Sequence, residues 1–508
     1  MARLDPDRMP VIVGIGEVKD RPQDRAAGLE PAALMVEALR RAEADAGAAL
    51  LGSLDSLDVV NSVTWPYADL PGWICQALAI APARRHYGEI GGNTPILFLH
   101  EAATRIARGE SRVAAVVGGE ATHTATWARR EGVALPWTSA EALPVASDGY
   151  LPARKRDYLA PLARQHKIDQ PVTVYPLYEN ATAAAWGQTP AQAQAESARI
   201  WSDFSAIAAA NPNAWLQQPL TPEQVSTITP DNRAIAWPYP KRMVANPAVN
   251  QGGAILLTSV GHARSLGIPD HRMIHIWGGA AASEPKDWMA RDQFVSAPAQ
   301  EVVLESVLAQ VDGDASRFRA AELYSCFPVV PKMARRKLGL GDDRALSTAG
   351  GLTFHGAPLN NYMTHAAAGM VRVLRDAPGE LGLLYGQGGF VTAHHAIVLA
   401  AEPPGDDGIL HPYDCQAEAD RRRGPAPRIV GSATGEAGVE TFTVVFKHDG
   451  AIDYGAVVLR LPDGARSMAR VEADDRATLA RLMATDNSPI GLVGRVHAGP
   501  GDFLGWTF

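Results

Sequence analysis

Two short segments hold most of the side chains with chemical capacity. One is Glu322-Leu323-Tyr324-Ser325-Cys326-Phe327. The other runs from Gly350-Gly351 through His355-Gly356-Ala357-Pro358 to Asn360-Asn361-Tyr362 and His365. Cys326 offers a thiol, which with an unperturbed pKa near about 8.5 shuttles protons if nearby dipoles favour the thiolate. The rival reading is a small apolar core residue. Tyr324 and Tyr362 carry phenols that donate to an oxyanion or trade protons with a hydroxyl, or else are buried aromatics with satisfied hydroxyls. His355 and His365 are candidate oxyanion donors or bases, against the plainer reading of solvated or core histidines. If the loop is extended, His355 and residue 357 point to one side, roughly 7 Å apart. His365 shares a face with Asn361 if the chain is helical from Tyr362 onward. Asn360 and Asn361 supply amides for a substrate oxygen.

Other candidates lie earlier and later in the chain. Asn93-Thr94-Pro95 reads as a helix start, with Thr94 as N-cap and Pro95 in the first helical position; the alternative is that the Asn93 amide donates to a substrate carbonyl. Gly388 closes the short run Gly386-Gln387-Gly388, and His123 ends a buried strand, where ligands of α/β sheets collect. Arg154-Lys155-Arg156, with Arg164 and Lys167, reads as a phosphate-holding patch or as a solvated face.

These residues need a scaffold, and the chain repeats itself to make one. Its 508 residues exceed one small core. Segments 11–16, 31–46 and 54–63 have counterparts at 273–278, 300–311 and 320–327, offset by about 260 to 270 residues. Gly91-Gly92 and Gly350-Gly351 then open matching regions. Each is followed by an alanine-rich helix ending in Gly-Glu (Gly109-Glu110, Gly379-Glu380) and by a buried strand, 113–117 or 381–385. Gly118-Gly119 and Gly388-Gly389 close those strands. Strands alternating with helices call for an α/β architecture with covered sheets.

The expected domains are an N-terminal half, 1–270, with an insertion at about 137–246, a C-terminal half, 271–400, a linker, 401–427, and a small β-rich domain, 428–508. The insertion is either a substrate-covering element or a helical subdomain packed over one sheet.

A net charge of -8 argues against nucleic acid as the main partner but leaves room for one anionic ligand. No apolar run is long enough to span a bilayer, and the first residues lack the apolar core of a signal peptide. Cys75, Cys326 and Cys415 are far apart and give neither a metal spacing nor a disulfide framework. The cytoplasm is the expected compartment.

The duplicated plan, Gly91-Gly92-Asn93, Gly118-Gly119-Glu120, Asn250-Gln251-Gly252-Gly253-Ala254 and the two opening segments together resemble the thiolase superfamily over about residues 9–400. The SCP2-thiolase branch is nearest, because the cysteine stands in Tyr324-Ser325-Cys326-Phe327. The β-rich tail is similar to that of the thiolase-like protein type 1 group, which carries an added C-terminal domain. The resemblance implies a five-layer αβαβα thiolase fold with an OB-like tail domain. It implies an acyltransferase, acetyl-CoA acetyltransferase-like, with coenzyme A as substrate and no metal, as a homodimer or a monomer. It places Asn93 where the nucleophilic cysteine belongs and Cys326 at the acid/base cysteine. Tyr324 takes the place of a water-binding histidine or asparagine, and Ala357 that of the histidine of a Gly-His-Pro loop.

An asparagine cannot form an acyl-enzyme thioester. The resulting expectation is Claisen or retro-Claisen chemistry on a β-keto acid or β-ketoacyl compound, with coenzyme A attacking directly. Cys326 or His355 then acts as base, and Tyr324 with Asn360 or Asn361 stabilises the enolate. A retro-aldol lyase using Tyr324 and Tyr362, and a non-catalytic acyl-CoA binder, are the alternatives.

Overall fold

Strand β1 (Pro10–Lys19), helix Pro31–Ala46, β2 (Ser56–Val59), β3 (Arg84–Tyr87), helix Thr94–Arg108 and β4 (Val113–Ala121) open the chain. An inserted region follows, whose strands are β5 (Ala234–Ala236) and β6 (Tyr239–Pro240), and β7 (Asn250–Ser259) completes the first half. The second half runs through β8 (Ile274–Ser283), helix Pro298–Ala309, β9 (Phe318–Leu323), helix Tyr362–Arg375, β10 (Leu381–Gly388) and β11 (Ala393–Ala400). This is a computed structural model, and it describes residues 5–138, 158–405 and 408–508. The basic run Arg154-Lys155-Arg156 lies outside the described residues.

The nine strands run in the order β3-β2-β4-β7-β1-β8-β11-β10-β9. From the centre outward, β1-β7-β4-β2 on one side corresponds to β8-β11-β10-β9 on the other, so the duplication seen in the sequence is a duplication of topology. The halves meet through a short antiparallel contact, Val11 opposite His275 and Ile12 opposite Ile274.

Helix Pro31–Ala46 covers β1, β4 and β7 on one outer face, and helix Pro298–Ala309 covers β8 and β11 on the other. Helices Thr94–Arg108 and Tyr362–Arg375 touch each other and strands of both halves, which makes them the central layer. The result is the expected five-layer αβαβα fold. Strands buried on both faces explain why β1, β4, β7 and β10 read as continuous apolar and glycine runs instead of alternating ones. Pro31 starts the first outer helix, and Gly47, in the left-handed region, ends it. Gly16 lets that helix dock closely, since a Cβ there would lie 1.9 Å from the Ala38 carbonyl oxygen.

Beyond the core, β12 (Gly435–Phe446), β13 (Ile452–Arg460), β14 (Arg466–Glu472), helix Arg476–Leu482, β15 (Val493–Ala498) and β16 (Leu504–Thr507) form the tail domain. Pairings β12–β13, β13–β14, β14–β16, β16–β15 and β15–β12 close a five-stranded barrel, with β14–β16 the one parallel pair. That order is OB-like.

The insertion binds the barrel: Ala236 of β5 opposes Val445, and the Trp237 amide donates to Val444 O at 2.8 Å. The Asn180 amide of helix Pro171–Ala185 donates to Phe442 O at 2.8 Å. Residues 413–415 hydrogen-bond to Ala281 of β8 at 2.8 Å in both directions.

Candidate functional site

The site is built where β9 and β10 end and the helix Thr94–Arg108 begins. The Tyr324 amide donates to Tyr385 O at 3.0 Å, which lays the segment after β9 along the end of β10. A Cβ on Gly92 would meet Tyr324 Oη at 2.2 Å and Gln387 O at 2.5 Å, and one on Gly388 would meet Asn93 Oδ1 at 2.5 Å. Asn93, Tyr324 and Gly388 therefore share one place. Cys326 Sγ stands 3.8 Å from Gln387 Oε1. The hydroxyl of Tyr175, from the inserted helix Pro171–Ala185, reaches the same oxygen at 2.9 Å and Gly389 O at 2.7 Å. Its ring stacks on Phe327 with centroids 4.4 Å apart.

Asn360 fixes the turn that presents Asn93. Its Oδ1 accepts from the Gly91 amide at 3.1 Å, and its Nδ2 donates to Asn61 O at 3.0 Å. Asn361 Oδ1 accepts from the Thr364 hydroxyl at 2.9 Å, above Gly118, where a Cβ would come within 2.2 Å of it. Asn93 takes the N-cap position itself but makes no side-chain capping bond. Thr94, expected to be the cap, is already helical and donates its hydroxyl to Gly91 O at 2.7 Å.

Burial pushes the Cys326 thiol up to about 12, against the pull of its hydrogen bond with Tyr175. The thiol is thus neutral near pH 7, where the sequence suggested an ordinary pKa. Burial, and then the neighbouring Cys326, also raise Tyr324 well above the usual phenol value. A neutral thiol beside a neutral phenol makes this end of the site a proton donor rather than a base.

The histidines lie elsewhere. Residues 351–355 form a π-helical turn, so the alternation expected of an extended loop does not hold. His355 turns away from position 357 toward Asn211, whose Nδ2 is 3.3 Å from its Nδ1, and toward Glu17, 4.0 Å from its Nε2. Burial first, and the adjacent His365 second, lower His355 to about 3. His365 rides on the helix that begins at Tyr362, and its Nδ1 is 2.7 Å from Glu17 Oε1.

Tyr362 donates to Glu322 at 2.6 Å and accepts from the Gly351 amide at 3.1 Å, which makes it an anchor of the Gly350–Gly351 loop. It packs edge-on against Tyr324 and against His355, with centroids 6.1 and 5.9 Å apart. His123 packs edge-on against Trp215 at 5.1 Å, and the Trp215 amide donates to His355 O at 2.8 Å. Burial, then Arg25 and Arg21, lower its pKa.

Sequence reasoning missed Gln387, Tyr175, Glu17 and Asn211. Gln387 lay in plain view as the polar residue of a Gly-x-Gly at a strand end. Glu17 was signalled by a carboxylate in an otherwise apolar strand. Tyr175 and Asn211 had no signal, because tertiary packing alone brings the insertion to the site.

The fold is that of a thiolase-type protein. Residues 414–499 match the family described as thiolase-like protein type 1 additional C-terminal domain. A monomeric SCP2-thiolase-like protein type 1 from Mycobacterium smegmatis superposes over 99% of this chain and 100% of its own, with TM-score 0.80 and 28% identity. An Ltp2–ChsH2(DUF35) aldolase covers 78% of this chain and 99% of its own at TM-score 0.58 and 21% identity. The dimeric peroxisomal thiolase of Saccharomyces cerevisiae covers 78% of this chain and 98% of its own at TM-score 0.56 and 14% identity. No curated protein sequence matches the chain. The resemblance to the thiolase superfamily, its SCP2-thiolase-like branch and the type 1 group with its added domain is borne out by these matches. Among the described residues, no helix is long and apolar enough to cross a membrane.

Proposed function

We propose that this protein is a coenzyme A-dependent acyltransferase acting on a β-ketoacyl compound without an acyl-enzyme cysteine. The reading is supported most by one observation: Asn93, Tyr324 and Gly388 converge from three separate elements, with Cys326 joined to them through Gln387 and its thiol held neutral by burial. Coenzyme A attacks the ketone carbon, forming the C–S bond. The thiol of coenzyme A gives up its proton to solvent; the bond to the α-carbon then breaks, its electron pair becomes an enolate, and the α-carbon takes a proton from a neutral donor that solvent reprotonates. Cys326, held neutral, is the group placed to deliver it, and Tyr324 and the Asn93 amide are the oxyanion donors.

The test is thioester release from a panel of β-keto acids and β-ketoacyl thioesters, with and without free coenzyme A, read by mass spectrometry. Sequential kinetics and a sharp loss in Cys326→Ala are expected; a stable acyl adduct on Cys326 sinks the mechanism. The depth of burial of Cys326 and Tyr324 favours a second reading, an acyl-CoA binder without turnover. Coenzyme A binding with no product from any substrate would select it.

A further inference from the structure

A proton donor in a buried site has two needs: its proton has to be aimed, and the anion left behind has to be stabilised in a medium of low dielectric. Cys326 is such a donor, and two side chains with no part in the chemistry above stand against it. Gln387 Oε1 lies 3.8 Å from Cys326 Sγ and accepts from the Tyr175 hydroxyl at 2.9 Å. Gln387 Nε2 donates to Gly388 O at 2.6 Å and to Gly389 O at 3.3 Å, which fixes the amide with its oxygen toward the thiol. An amide oxygen has two lone pairs, so it accepts from the phenol and the thiol together. Gln387 and Tyr175 are buried, at 0% and 2% exposure.

Tyr175 has one hydroxyl proton and two acceptors in reach, Gln387 Oε1 and Gly389 O, the latter at 2.7 Å. Its place beside the thiol is fixed from two directions. The ring stacks on Phe327, the residue after Cys326, with planes 13° apart. The helix Pro171–Ala185 that carries it is fastened to the barrel: Leu177 O accepts from the Thr441 hydroxyl at 2.5 Å, and the Asn180 amide donates to Phe442 O at 2.8 Å.

The electrostatics agree with this geometry. Burial raises Cys326, and the hydrogen bond with Tyr175 is the main influence in the opposite direction. Burial, then Cys326 itself, raise Tyr175 well above the usual phenol value, so the phenol keeps its proton when the thiol loses its own. The other titratable side chains around the thiol are Tyr239, Tyr324 and Tyr385, each likewise raised by burial.

We propose that Tyr175 and Gln387 are positioning residues for Cys326, Gln387 aiming the thiol proton and Tyr175 turning its hydroxyl onto the sulfur once that proton has left. This rests on the reading of Cys326 as the donor to the α-carbon. In that step the S–H bond breaks, the enolate's electron pair forms the new C–H bond, and the S–H pair stays on sulfur as a thiolate. Tyr175 keeps its O–H bond throughout and changes only its acceptor, from the oxygens of Gln387 and Gly389 to the sulfur. Solvent then returns a proton to the thiolate. The insertion thus brings a working part to the site, and the barrel sets its aim.

The experiment uses the full chain with Tyr175→Phe, which removes one oxygen and keeps the ring on Phe327, and with Gln387→Leu. One readout is the S–H stretch in the infrared, assigned by difference against Cys326→Ala. The other is kcat and KM for the β-ketoacyl thioester of the panel that the wild type cleaves fastest with free coenzyme A. In Gln387→Leu the S–H band is expected to move to the higher frequency of an unbonded thiol, and in Tyr175→Phe to stay bonded. Tyr175→Phe is expected to lower kcat about 10- to 100-fold, as for loss of a hydrogen bond to a charged group, with KM unchanged within about two-fold.

Wild-type kcat in Tyr175→Phe, with turnover lost in Cys326→Ala, would overturn this inference and leave the proposed function standing. A rise in KM at unchanged kcat would make Tyr175 a ligand contact only, and would overturn it too. An S–H band that ignores Gln387→Leu would show the thiol aimed elsewhere, with the same consequence. No thioester from any member of the panel in the wild type would overturn both readings. If Gln387→Leu does not fold, the split between kcat and KM in Tyr175→Phe still decides.

Discussion

At Cys326, position and chemistry point in opposite directions: the residue stands where a proton-transferring cysteine belongs, yet burial raises its thiol to about 12. A neutral thiol is a poor nucleophile. Iodoacetamide at pH 8 is therefore expected to modify the half-buried Cys415 before Cys326, as followed by peptide mass spectrometry; faster labelling of Cys326 would mean a thiolate the structure does not support. Glu17 gives a pH-dependent stability with a definite sign. Its folded pKa, about 2, is below the ordinary value of 4.5, so it stabilises the fold above pH 4.5 and that contribution disappears as pH falls toward 2. The shift corresponds to about 3 kcal/mol at most. Urea midpoints of wild type and Glu17→Gln should converge as pH drops from 6 to 3, and a constant gap would refute the assignment. The sequence made Cys326, Tyr324 and Asn93 legible as candidates, because each sits in a recognisable segment. It could not show that His355 faces Glu17, since that depends on a π turn and on Asn211, 144 residues away in sequence.

Elements carry the positioning. The repeat of strand, helix and glycine pair was readable because both halves use the same apolar and glycine pattern. The barrel was readable only for its first three strands, whose alternation is strong; β15 and β16 are short and flanked by glycine and proline. Close approach between layers is set by single glycines. Gly16→Ala would place a Cβ 1.9 Å from the Ala38 carbonyl oxygen, a backbone atom that cannot move without shifting the outer helix. A loss of about 3 kcal/mol is expected for such overpacking, measured by chemical denaturation. Gly92→Ala instead meets Tyr324 Oη and Gln387 O, so its effect should fall on ligand binding or turnover as well as on stability.

Across the whole molecule, the barrel, the insertion and the second half are fastened together. Arg466 is buried, pairs with Glu440 of β12, and donates to Met289 O at 2.6 Å in the core. Arg466→Ala leaves Glu440 to Arg460 and strips the Met289 carbonyl of a donor. A destabilisation of about 3 to 5 kcal/mol is expected, together with early proteolytic release of the tail domain. Intact resistance to trypsin would show that the barrel is held by other contacts. The insertion, which supplies Tyr175 to the site, is hydrogen-bonded to β12 through Trp237, Asn180 and Thr441. During synthesis, the ribosome releases the Tyr175 helix more than 250 residues before the strand that secures it. The nascent chain can lay down its first half early, but its site reaches final form only when the barrel has been made.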